Sequence, residues 1–104
     1  MTARVVDLRH RVRGPALGEG LFAEIEDALS EGYAHALCGD AWSMRSEQRL
    51  HALIGDPDAP ERGRDIQVLA GEHAAIQRDV IALRRELAEL RQDRDRLRAT
   101  SHAA

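Results

Sequence analysis

Residues 66–97 read IQVLAGEHAAIQRDVIALRRELAELRQDRDRL, and their spacing decides the fold. Ile66, Leu69, His73, Ile76, Val80, Leu83, Leu87, Leu90, Arg94 and Leu97 recur at alternating steps of three and four. Eight of those ten side chains are large aliphatics, so the stretch predicts one long helix with a continuous apolar seam. Upstream, Phe22, Ile25, Leu29, Gly32, Ala36, Gly39, Ser43, Ser46, Leu50 and Leu53 repeat the same steps. That series is bulky at its ends and small in its middle, and none of its members is charged.

Between the two series stands Gly55-Asp56-Pro57-Asp58-Ala59-Pro60, a strong helix stop followed by capping residues. Folding the chain back there sets the series face to face. Gly32 then meets Leu87, Gly39 meets Val80, Ser43 meets Ile76 and Ser46 meets His73. Flanking charges agree in sign for Glu26 with Arg91, Arg49 with Glu72 and His35 with Glu86. Alanine at Gly39 would gain helix propensity if space allows, and leucine there would overpack. The competing arrangement is a parallel zipper through the second helix alone. Glu72, Asp79, Glu86 and Asp93 would then face Gln77, Arg84, Arg91 and Arg98 of a second copy.

Outward from the seams, residues 1–16 form a basic N-terminal arm, with Arg4, Arg9, Arg11 and Arg13 against Asp7. Val6, Leu8 and Val12 suit a short strand, whereas Val5, Leu8 and Val12 also fit a helix; the arm is expected as a strand or a mobile segment. The first helix is expected over 17–55, a turn over 56–63, the second helix over 64–99 and a disordered tail over 100–104. The fold class is therefore all-α, an antiparallel coiled-coil hairpin that dimerises into a four-helix bundle.

The chain has 104 residues, too few to bury much of their surface as an isolated hairpin. Apolar side chains remain outside the seams: Tyr33, Leu37, Trp42 and Met44 on the first helix, Val68 and Ile81 on the second. These six are the expected dimer or partner surface. A single cysteine, Cys38, precludes an internal disulfide and suits a reducing cytoplasm. No apolar run is long enough for a membrane span. A net charge of −3 does not advertise nucleic-acid binding.

Chemistry-bearing patterns are sparse. His35 and Cys38 are only two ligands, and no second pair stands near them in sequence, so no metal is expected. No phosphate loop, nucleophile elbow or dinucleotide fingerprint is present, so no cofactor or small-molecule ligand is inferred and no enzyme is expected. His73 reads as a register-setting or pH-sensitive layer, or simply as a hydrogen-bonded histidine. Asp56, Asp58, Glu61 and Asp65 give the turn an acidic tip. In finger shape and tip it resembles the transcript-cleavage and stringent-response factors that enter the secondary channel of RNA polymerase. It lacks the additional globular domain of those families. Glu26 and Ser30 match two of five motif positions in a helical anti-sigma family that binds cyclic di-GMP. Tyr33, Leu37 and Ala41 do not match, so no nucleotide is carried over.

The expected activity is binding: a cytoplasmic adaptor or regulator presenting a helical surface to another protein, with the transcription machinery as one partner class. The first rival is a dimeric nucleic-acid binder using Arg9, Arg11 and Arg13 on phosphates. The second is an enzyme with a site at the dimer interface.

Overall fold

A computed structural model of the chain describes residues 1–13, 20–56 and 62–103. Three helices follow in order among these residues: α1 (Thr2–Arg13), α2 (Leu21–Ile54) and α3 (Arg62–Ala103). The two long helices pack on each other, and the chain divides into two compact units. Unit 1 joins Met1–Ala36 to Ala82–Ala104, and unit 2 is Leu37–Ile81.

In α2 the first turn opens at Gly20, whose φ of 84° lies in the left-handed region that favours glycine. Its carbonyl accepts the Glu24 amide at 3.0 Å, and Glu24 places a carboxylate near the positive end of the helix. The last turn closes with the Gly55 amide donating to the His51 carbonyl at 3.0 Å. The tip at 57–61, including Asp58 and Glu61, lies outside the described residues. So do positions 14–19, of which 17–19 were expected to begin the first helix. Residues 100–103, expected as a disordered tail, continue α3 to Ala103, and Thr100 Oγ1 donates back to the Arg96 carbonyl at 2.9 Å.

Within unit 1 the seams meet in the expected register. A Cβ built on Gly32 would overlap Leu87 Cδ2, so the glycine is where the leucine enters. Ile25, Leu29, Ala36, Leu83, Leu87 and Leu90 are all buried. Within unit 2 a Cβ on Gly39 would likewise overlap Val80 Cγ2. In each unit rising numbers on α2 meet falling numbers on α3, so the pairing is antiparallel. The α3 seam is thus occupied by α2 of the same chain, and the parallel zipper loses its contact surface.

The first thirteen residues depart most from expectation. They form neither a strand nor a mobile arm but a 12-residue helix. A helix this short is marginal alone in water. Packing holds it: Val5 and Leu8, three apart on one face, are both buried. Arg4 pairs with Glu31 and Arg11 with Glu24, so α1 runs antiparallel to α2. Arg9 reaches across to α3. The added layer explains a second difference. Leu21 and Ala28, one heptad apart on the flank of α2, are buried, whereas the seam residue Phe22 is 40% exposed. Its ring lies under Arg98, whose guanidinium carbon is 5.6 Å from the ring centroid.

Candidate interaction surface

In unit 1, α1 seals one flank of the hairpin by charge. Arg9 donates to Glu86 at 2.5 Å and also pairs with Glu89. Its Nε lies 3.6 Å from Asp93 Oδ2, beyond hydrogen-bond range, and both of those buried atoms lack a partner. Asp93 is 2% exposed and takes a second cation from Arg96. The hydrogen bond to Glu86, reinforced by the three surrounding carboxylates, raises the Arg9 pKa despite desolvation. The guanidinium therefore stays charged wherever the protein folds. Three acids spaced at 86, 89 and 93 form one stripe on a helix, and this stripe is what positions α1.

Arg94 shows how a charge survives in the seam itself. Desolvation is the largest influence on it and lowers its pKa. Bonds to Asp95 and Glu26, with their charges, outweigh this and leave it raised. Its guanidinium reaches Glu26 at 3.3 Å, and Arg98 approaches the same carboxylate at 3.9 Å. Glu26 therefore pairs with Arg94 and Arg98, not with Arg91 as expected. Glu86, expected opposite His35, is taken by Arg9.

Among the described residues unit 2 has no third layer. Its buried side chains are Val80 and Ser46, and the rest of its seam, including Leu50, Leu53, Ile66 and Leu69, is half-buried. Ser43 Oγ lies 3.4 Å from His73 Nδ1, so His73 faces Ser43 and not Ser46. Arg49 and Glu72 do not form their expected pair; among the described residues neither has an ionic partner.

The six residues expected as a partner surface are all exposed, between 40% and 65%. Tyr33 belongs to unit 1, and Leu37, Trp42, Met44, Val68 and Ile81 belong to unit 2. On α2, Leu37 and Met44 lie seven apart on the side away from the seam, while Trp42 flanks the seam. Arg45 stacks on Trp42, with its guanidinium carbon 5.4 Å from the ring centroid. Of the three arginines expected to meet phosphates, Arg9 and Arg11 are engaged by acids of the chain itself. The Arg13 side chain lies outside the described residues.

Among the described residues no group of three or more His, Cys, Asp and Glu side chains could hold a metal ion. None of the helices is long and apolar enough to cross a membrane. Comparison of the chain with protein-family models, curated proteins and solved structures gave no match.

Proposed function

We propose that the chain is a non-catalytic protein–protein interaction module, an adaptor or regulator whose unit 2 offers an uncovered helical face to a protein partner. One observation carries this reading. Among the described residues, six of the nine exposed large apolar side chains, Leu37, Trp42, Met44, Ile54, Val68 and Ile81, lie in unit 2, where one large apolar side chain, Val80, is buried. Exposed apolar surface of this density is typical of interaction sites. The nucleic-acid reading draws no support from the arm, because phosphate contacts would have to displace Arg9 and Arg11 from the carboxylates that hold α1.

The test is a photo-reactive amino acid placed at position 42 in the producing cell, with exposed Arg85 of unit 1 as the control position. Position 42 should give a protein adduct of defined mass, and position 85 should not. Equal yields at the two positions, or none at either, would overturn the reading.

A further inference from the structure

Unit 1 shows what binds the flank of this hairpin, and unit 2 carries the same flank with different chemistry. In unit 1 the flank is walled on α3 by Glu86, Glu89 and Asp93 and on α2 by Glu24 and Glu31, and α1 brings arginines to both walls. Helical positions repeat every seven residues, so the matching positions of unit 2 can be read directly. On α3, Asp79 and Glu72 stand one and two heptads before Glu86, so that wall stays acidic. On α2, Glu24 and Glu31 give way to Arg45, and Ala28 gives way to Trp42 and then Arg49, so that wall becomes basic. Ala75 and Val68, two and three heptads before Glu89, leave apolar ground where unit 1 has a carboxylate.

A helix like α1 does not fit here, because its arginine edge would meet Arg45 and Arg49. The flank is instead complementary to itself. Among the described residues Arg49, Glu72 and Asp79 have no ionic partner. In the register fixed by Gly39 and Val80, Glu72 is level with the midpoint between Arg45 and Arg49. Ala75 is level with Met44, beside Trp42. A two-fold axis parallel to the helices of unit 2 keeps these levels and sets α2 of each copy against α3 of the other. Each Glu72 then meets the arginine pair of the other copy, and each Trp42 ring lies over a small residue. We infer that the Trp42 flank of unit 2 docks on the same flank of a second copy of this chain, giving an isologous dimer sewn by Arg45 and Arg49 to Glu72 and Asp79. This rests on the interaction-module reading and names the partner.

The experiment uses the full chain in sedimentation, with the emission of Trp42, its single tryptophan, followed over the micromolar range. A dimer should form with rising concentration, and the emission should shift to the blue as the ring leaves water. Arg49→Glu and Glu72→Arg should each weaken the dimer by about tenfold or more, since like charges then face each other. Both positions are exposed, so helicity should be unchanged. Mixing the two variants should restore association, because each copy then supplies what the other lacks. A monomer at all concentrations, an Arg49→Glu chain that dimerises like the wild type, or no recovery on mixing would each overturn the inference. An adduct at position 42 with twice the mass of the chain supports it. An adduct of another mass only would overturn the dimer while leaving the interaction module standing.

Discussion

Units 1 and 2 are built from the same two helices in the same register, yet they differ in how much of the seam leaves water. Unit 1 buries ten apolar side chains, among them Ile25, Leu87 and Leu90 with essentially no exposure. In unit 2 the seam mixes Gly39, Ser43, Ser46 and His73 with half-buried aliphatics, and of its described apolar side chains only Val80 is buried. Two facing helices cover one stripe of each other and leave both flanks wet; a third helix is needed to close a core. Val5 and Leu8 supply that closure in unit 1, and nothing within the described chain supplies it in unit 2.

The largest effect should come from the buried charge that fixes the third helix. Arg9→Ala leaves the buried Asp93 beside Glu86 and Glu89 with Arg96 as its remaining cation, and should cost about 3–5 kcal/mol in a denaturation experiment. Arg78→Ala, on the exposed side of α3 in unit 2, should stay within about 0.5 kcal/mol of the wild type. Equal costs would mean that α1 is not what separates the units.

Next in size is the paired truncation of seam leucines. Leu87→Ala in unit 1 should cost about 2–5 kcal/mol, because the side chain is fully buried and its cavity is walled on several sides. Leu69→Ala in unit 2 removes a half-buried side chain that water already reaches, so its loss should be clearly smaller. Chemical denaturation of both variants compares them, and a larger loss at Leu69 would reverse the contrast.

The two glycines sharpen the comparison further. Gly39→Ala does not find the room that would let helix propensity win, since its methyl would overlap Val80. Gly32→Ala meets Leu87 in the closed core and should lower stability by about 1–3 kcal/mol. At Gly39 the valine borders solvent and has somewhere to move, so thermal melts should show a smaller drop than at Gly32. A Gly39→Ala protein melting well above the wild type would place Val80 elsewhere.

The smallest effect belongs to the polar layer of unit 2. The Ser43 to His73 contact is long for a hydrogen bond, so Ser43→Ala should change stability by less than about 1 kcal/mol. A larger loss would mean that this layer holds unit 2 together more firmly than its half-burial implies.

The hairpin was legible because heptad spacing is local and redundant: ten positions on each helix state the same seam. The third helix was not, because α1 is short enough for its valines to satisfy a strand and a helix alike. What decides for the helix is a carboxylate stripe far along the chain, and no local pattern in α1 points to it. Arg94 illustrates the same limit on a finer scale. Its seam position was readable, but a long side chain can carry its charge out of the seam, and it does so to Glu26 in place of Arg91. The exposed residues Leu37, Trp42, Met44, Val68 and Ile81 were found because they fall off the seam.

The bond from Arg9 to Glu86 joins residues 77 apart in a chain of 104. On the ribosome α1 emerges ahead of the hairpin, and the acidic stripe that receives it emerges well after it. The α2–α3 turn closes over a short span, so the hairpin of unit 2 can pair early at little entropic cost. α1 must wait for the second half of α3 before its arginines find their acids. Its docking therefore follows the pairing of unit 2, and is the step more exposed to a stalled or truncated chain. A product ending before Glu86 would carry a finished unit 2 and an undocked, arginine-rich leading segment.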